Sequence, residues 1–332
     1  MEPIFNEIQK KKADFILNHE SAKLSELSSA DIKNLRVAWS YYSGKIEGNT
    51  YTYVETEALL TDGVTSTKKY EDAKMLKNLH NTFTTCISEI KSNKPFEINE
   101  RTIKSIHSEL AEGLVENSER GDFRRRPVAI TSTDYIPPKE EHQIREEFSN
   151  IMKKQDEYSN PLEKAVFLHC NLARLQPFID GNKRTARMAE SLVLMQNNIV
   201  PVYSIKDEDF VKYRDGLLQF YETKDYTKYA DYFLDKQIDR INKISLDSSP
   251  KYNLETNEVI KKKTLSPEEQ LSKAIYNNDA VKVDNLLKDG IKPNKSHAKL
   301  MVEMKHEKKD LDPTIENKIK GNLLKQDRGI KM

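Results

Sequence analysis

The chain has 332 residues, enough for one large domain or for one domain with an appendage. Hydrophobic residues make up 37% and charged residues 32%, so a core can form, but not along the whole length. With 54 basic against 53 acidic residues the net charge is +1, which argues against nucleic-acid binding by bulk charge. Cys86 and Cys170 lie far apart without metal spacing and read as buried free thiols of a reducing compartment. No apolar leader and no membrane-length run is seen, so no membrane partner is expected and the cytoplasm is the default location. A secretion signal read by a dedicated machine would leave no such mark.

Residues 1 to 95 read as helical, with Gly and Pro nearly absent from long stretches. Ser29 is placed to cap a helix with Asp31 in its first turn, and Ile32, Leu35, Ala38, Trp39 and Tyr42 follow at helical spacing. Gly48-Asn49 ends it. Further helices are expected at Tyr53 to Leu60, Tyr70 to Lys91 and 100 to 118. The stretch "RGDFRRRPVAITSTDYIPPKEEHQI" then breaks the pattern. Val128-Ala129-Ile130 is β-prone, Thr133-Asp134 can turn the chain, and Pro137-Pro138 ends the element, which predicts a small β-hairpin flap. Helices resume at Glu140 to Glu157 and at Pro161, where Leu162, Ala165, Val166, His169, Leu172 and Ala173 share a face. Met188, Leu192, Val193 and Met195 predict a buried helix, followed by helices near 206–221 and 226–243. The stretch 245–267 has linker composition, and the charged tail from Lys295 reads as partly disordered.

Between two of these helices lies "LARLQPFIDGNKRTAR", Leu172 to Arg187. Gly181 permits a backbone that turns N–H groups toward one point. The helix beginning near Lys183 adds unpaired N–H groups and the positive end of its dipole. Lys183, Arg184 and Arg187 add cations, and arginine grips phosphate oxygens bidentately. Asp180 beside such a nest makes sense as a ligand for Mg²⁺ that bridges phosphates. On physics alone a plain surface turn with a helix start accounts for these residues about equally well.

"QPFIDGNKRTAR" resembles the Fic-family motif His-Pro-Phe-x-(Asp/Glu)-Gly-Asn-Gly-Arg-x-x-Arg. "FLHCNLARL" resembles the preceding Fic helix, "RRRPVAITSTDYIPP" the flap, "SGKIEGN" the (Ser/Thr)-x-x-x-Glu-(Gly/Asn) motif of the inhibitory helix, and "YTKYADYFLDKQIDRI" the closing helix. The resemblance covers roughly residues 1–245, with the motifs in family order. It implies an all-α Fic-type bundle that transfers AMP from ATP to a Ser, Thr or Tyr hydroxyl of a target protein. Asp180 would bind Mg²⁺. Gly181 and Asn182 would shape the anion hole, with Lys183 beside it, and Arg184 would hold the distal phosphates. Arg187 would contact the γ-phosphate or pair with the inhibitory Glu47. Phe178 would anchor the loop. Val128, Ala129, Ile130 and Thr131 would dock the target by β-augmentation.

Two departures bear on chemistry. Gln176 stands where the family has its catalytic histidine, and glutamine cannot act as a general base, a loss of about 10²–10⁴-fold. His169 is no substitute, since it lies about two helical turns upstream, roughly 10 Å along the axis. Lys183 stands where most members have glycine. The Doc branch, which resembles a kinase, also has lysine there. Ser43 and Glu47 are one turn apart on one helix face. If that face meets the anion site, Glu47 pairs with Arg187 and takes the place of the γ-phosphate.

"LSKAIYNNDAVKVDNLLKDGIKPN" resembles the helical half of an ankyrin repeat through Leu271, Ala274, Asp279, Val283, Leu286, Leu287, Gly290 and Asn294. One repeat cannot bury its own face, so this piece docks, is a remnant, or is a charged helical pair. It is a candidate to recruit a partner.

The expected organisation is an N-terminal helical region carrying the inhibitory helix (1–95), a Fic core (96–245), a linker (246–268) and a helical segment with charged tail (269–332). The expected function is autoinhibited protein adenylylation with ATP and Mg²⁺, impaired or altered by Gln176. A homodimer fits the resemblance. The rival readings are a silent ATP-binding module, a Doc-like kinase, and AMP removal with Glu47 as base.

Overall fold

In the computed structural model, which describes residues 3–64, 67–92, 97–204, 206–245, 249–260, 266–306 and 311–329, the chain divides into a unit spanning 1–261 and a second spanning 262–332. The first unit is built from α1 (Glu7–Asn18), α2 (Ser29–Ile46), α3 (Tyr53–Asp62), α4 (Tyr70–Lys91), α5 (Glu100–Leu110), α6 (Glu141–Lys154), α7 (Pro161–Leu175), α8 (Asn182–Gln196), α9 (Asp207–Thr223) and α10 (Thr227–Ile244). The class is all-α, as expected.

α7 and α8 form the central antiparallel pair. α8 is buried on nearly every face and α7 along most of its length, because α7 is mainly apolar from Ala165 to Leu175 and α8 runs apolar from Met188 to Met195 apart from Glu190 and Ser191. α1, α6, α9 and α10 share a core with one side of this pair, while α2 to α5 share a second core with Met188, Leu192 and Met195. The N-terminal helices and the region beyond residue 97 therefore share cores inside one compact unit. Residues 93–96, where a boundary was expected, lie outside the described residues.

Local rules explain the ends. Ser28, one residue earlier than expected, caps α2, and its partner Asp31 closes a reciprocal capping box. Thr52 and Glu55 do the same for α3. Trp39 is fully buried, stacks on Phe83 at 5.1 Å, and donates Nε1–H to Ser191 Oγ at 3.1 Å, which pins α2 against α8. The helix expected over 100–118 stops at Leu110, and a single 3₁₀ turn follows at Asn117–Glu119.

The flap is not a hairpin. Residues 126–138 contain a turn at Thr131-Ser132 and no paired strand, with Ser132 at φ 67°. Its β-prone run is too short to recruit a partner strand. Ile130 is buried, and side chains hold the segment instead: Arg214 donates to Ser132 Oγ and Thr133 Oγ1 donates to Glu222 Oε1 at 3.1 Å. Among the described residues the paired strands are β1 (Lys251–Asn253) and β2 (Glu258–Ile260), antiparallel with Tyr252 opposite Val259. They fold within the stretch read as linker, of which 246–248 and 261–265 lie outside the described residues.

The second unit holds α11 (Pro267–Tyr276), α12 (Ala280–Lys288), α13 (Lys295–His306) and α14 (Pro313–Gly329). The tail beyond Lys295, expected to be partly disordered, thus supplies two helices, with 307–310 and 330–332 outside the described residues. Leu271, Ala274, Ile275 and Val283 of the first helical hairpin share a core with Met301, Met304, Ile315 and Ile319 of the second. One hairpin could not bury its face, and the next one covers it.

Candidate functional site

α7 ends at Gln176, which adopts a left-handed backbone (φ 51°, ψ 58°) immediately before Pro177. A non-glycine residue in this region costs about 1–3 kcal/mol, and a following proline disfavours it further. Four hydrogen bonds hold it there. Its N–H donates to Leu172 O at 3.2 Å, its carbonyl accepts from Arg124 Nε at 2.7 Å, its side-chain Nε2 donates to Ala173 O at 2.5 Å, and its Oε1 accepts from Asn182 Nδ2 at 3.1 Å.

The loop that follows is stapled from within. Asn182 Oδ1 accepts from Phe178 N–H at 2.8 Å and its Nδ2 donates to Phe178 O at 2.8 Å. Phe178 is fully buried and stacks face to face on His107, with ring centroids 3.8 Å apart. His107 Nδ1 accepts from Gly121 N–H at 2.9 Å, so its proton sits on Nε2, which donates to Asp180 O at 2.9 Å. Burial holds the His107 pKa down at about 4, so the ring is neutral.

Gly181 starts α8 at φ 74°, and no side chain caps the helix. The amides of Asn182, Lys183 and Arg184 have no intrahelical acceptor, and the helix dipole adds positive potential at the same end. A cavity of about 350 Å³ lies alongside, with Lys45, Lys183 and Arg214 among its polar lining and Ile46, Ile130, Phe210 and Leu217 on its apolar side. Of the expected docking residues, Ile130 and Thr131 reach this cavity, whereas Val128 and Ala129 are not in its lining.

Two buried arginines in α8 face two carboxylates. Arg184 Nη2 meets Asp180 Oδ2 at 2.9 Å, and its Nε and Nη1 are buried without a hydrogen-bond partner. The Asp180 side chain is 60% exposed. Arg187, 1% exposed, donates from Nε to Ser43 Oγ at 3.2 Å, from Nη2 to Ser43 O at 3.1 Å, from Nη1 to Tyr213 OH at 3.1 Å, and from Nη2 to Glu47 Oε1 at 2.8 Å. Burial pushes the Glu47 carboxyl up, but the charges of Arg187, Arg184 and Lys183 outweigh it and the net shift is downward. Arg187 is driven upward on balance: burial opposes its charge, while Tyr213 and Glu47 favour it. The structure thus brings Ser43, Glu47 and Arg187 together, and separately gathers Gln176 and Asn182. It places Asp180 on Arg184.

Sequence reasoning missed Arg124, His107 and Tyr213. Arg124, nearly fully buried, donates to Gln176 O and also to Arg126 O at 3.0 Å and Pro138 O at 2.6 Å, so one guanidinium ties both ends of the flap to the loop. His107 shares a helix face with Ile103, Ile106 and Leu110, and such a histidine reads as core. The residue type of Arg124, inside the run Arg124-Arg125-Arg126, gave no sign that one of the three is buried.

These features agree with comparisons to known proteins. Residues 97–194 match the model of the Fic/DOC family. The chain is 29% identical over 183 residues to a protein adenylyltransferase Fic of Drosophila grimshawi, covering 51% of this chain and 35% of that protein. It is 26% identical over 202 residues to one of Nematostella vectensis, covering 58% and 42%. The chain therefore spans well under half the length of these relatives. A Fic family protein from Desulfovibrio desulfuricans superimposes with a TM-score of 0.62 at 18% identity, covering 83% of this chain and 82% of that one. Fic-1 (residues 134–508) from C. elegans gives 0.56 at 22% identity, covering 69% and 68%. The fold is that of Fic proteins. Residues 97–194, the segment that matches the Fic/DOC model, carry Gln176, the loop that follows it and both arginines. Among the described residues no helix is long and apolar enough to cross a membrane.

Proposed function

We propose that this protein binds ATP at the N-terminus of α8 and transfers AMP to a hydroxyl of a target protein, with Glu47 as a brake. The observation that carries the reading is the ion pair between buried Arg187 and partly exposed Glu47 beside an uncapped helix start. A buried guanidinium needs an anionic partner. Glu47 supplies one from α2, and a phosphate oxygen is the natural competitor. The two partnerless nitrogens of Arg184 and the open amides of α8 suit the remaining phosphate oxygens.

The chemistry is attack of the target hydroxyl on the α-phosphate, with pyrophosphate leaving and the hydroxyl proton passing to solvent water. Asp180 would hold Mg²⁺, which supplies charge neutralisation across the phosphates. No group of three or more His, Cys, Asp or Glu side chains able to hold a metal occurs among the described residues, so one protein carboxylate plus nucleotide oxygens fits that ion. Lys183 and Arg184 hold charge, Asn182 and His107 hold the loop, and the flap covers the cavity. Gln176 takes no proton, so the step lacks its base and runs about 10²–10⁴-fold slower than with histidine.

The hydrogen bonding of the Gln176 amide favours one second reading. Nε2 is tied to Ala173 O in α7 and Oε1 to Asn182 at the start of α8, so the amide serves structure, as in a module that binds nucleotide without turning it over. Label transfer from α-³²P and γ-³²P ATP with Mg²⁺ in host lysate decides between them. We compare the chain as it stands with Gln176→His, each with and without Glu47→Gly. Adenylyl transfer predicts α-label on protein, strongest in the Gln176→His, Glu47→Gly double variant. γ-Label alone would mean phosphoryl transfer, and no label from any variant would leave the binding module.

A further inference from the structure

Arg187 has contacts of two kinds. Ser43 and Glu47 belong to α2, the side that must give way when a phosphate enters. Tyr213 belongs to α9, and its hydrogen bond to Arg187 is made by no residue of α2. What stands behind Tyr213 is a line of buried polar groups that no step above uses. Arg187 Nη1–H donates to Tyr213 OH at 3.1 Å. Tyr213 OH lies 3.0 Å from His169 Nε2. His169 Nδ1 lies 3.0 Å from Glu190 Oε2, within ion-pair reach but off the angle of a hydrogen bond. Glu190 Oε2 accepts from Tyr229 OH at 2.6 Å. All five side chains are buried, and they come from α7, α8, α9 and α10.

We propose that Glu190, His169 and Tyr213 are positioning residues that fix Arg187 for whichever anion it takes, Glu47 or a nucleotide phosphate. The proposal rests on the nucleotide reading above. Because Tyr213 accepts from Arg187, its own proton is free to go to His169 Nε2, which leaves the histidine proton on Nδ1 facing Glu190. The Glu190 carboxylate, 3.0 Å from Nδ1, favours a proton there by charge, that tautomer makes Nε2 an acceptor, and the acceptor turns the Tyr213 oxygen toward Arg187. A guanidinium on a flexible stem would otherwise follow Glu47 when α2 withdraws.

The test is calorimetric binding of ATP and of AMP to the full chain in a Glu47→Gly background, with and without Tyr213→Phe. AMP lacks the distal phosphates that Arg187 is placed to meet. The expected result is an ATP affinity about tenfold weaker with Tyr213→Phe, the size of one hydrogen bond to a charged group, and an unchanged AMP affinity. His169→Leu should reproduce the ATP-selective loss. Should it fail to fold, the Tyr213→Phe arm still decides, since that change removes one oxygen and keeps the ring. Equal ATP affinities, or ATP and AMP weakening together, would overturn the proposal in favour of a structural network. A Glu47→Gly protein that binds neither nucleotide would overturn the nucleotide site and this proposal with it.

Discussion

Gly121 donates its amide proton to Nδ1 of His107, and the Nε2 proton goes to the carbonyl of Asp180. A second proton on this ring would break the Gly121 bond and place a charge near Arg184 and Arg120. The folded chain therefore resists protonation down to about pH 4, against an ordinary value of 6.5. The unfolded chain takes the proton first as pH falls, so the contribution is intact above 6.5 and is lost progressively toward 4. The expected loss is about 3 kcal/mol. Urea denaturation at pH 7 and pH 4.5 measures it. His107→Gln, which keeps a donor and an acceptor, should lose clearly less stability between those two pH values than the parent. Equal losses would mean that His107 is not the group responsible. Little of this was legible beforehand. The sequence gives residue types and spacing, while the role of His107 comes from Gly121 and Asp180, brought to it by tertiary folding.

At the scale of elements, spacing was a good guide where one helix face meets a core. α7 and α8 lie close to their expected places because Asn160, Pro161 and Gly181 mark starts that local chemistry enforces, and Thr52 with Glu55 does the same for α3. It was a poor guide where side chains from other elements decide. The flap's β-prone run is held by Arg124, Arg214 and Glu222, and no strand forms. α9 depends on a close approach that composition hides. A Cβ built at Gly216 would come within 2.8 Å of Tyr229 Cα and 2.9 Å of Tyr229 N, backbone atoms that cannot rotate away. Gly216→Ala should therefore destabilise by about 1–3 kcal/mol, although alanine is the better helix former. Chemical denaturation checks this, and a neutral or stabilising result would show that α9 and α10 separate at little cost. Tyr213 lies on the same helix, one turn before Gly216, so the close approach also bears on the placement of Arg187's partner.

At the scale of the molecule, the carboxylate that meets Arg187 comes from outside the segment that matches the Fic/DOC family. Glu47 closes α2, and Arg187 lies in α8 within residues 97–194. The resemblance of "SGKIEGN" to the Fic inhibitory-helix motif implied this pairing, helical spacing adding only that Ser43 and Glu47 share a face, and both side chains meet Arg187. The C-terminal helices were harder to read. A single hairpin looked incomplete, and the charged composition of the tail masked Met301, Met304, Ile315 and Ile319, which complete its core.

The central claim is that Glu47 occupies the seat of a nucleotide phosphate on Arg187. Its most direct test is the ATP dissociation constant, with Mg²⁺, of the parent chain, Glu47→Gln and Glu47→Gly. The Glu47 backbone, at φ −84° and ψ 6°, accommodates either change without strain. Removing a carboxylate that competes for a buried guanidinium should tighten ATP binding about tenfold or more in both variants. Three equal dissociation constants would contradict the account, since the Arg187–Glu47 pair would then be a structural contact that ATP never meets.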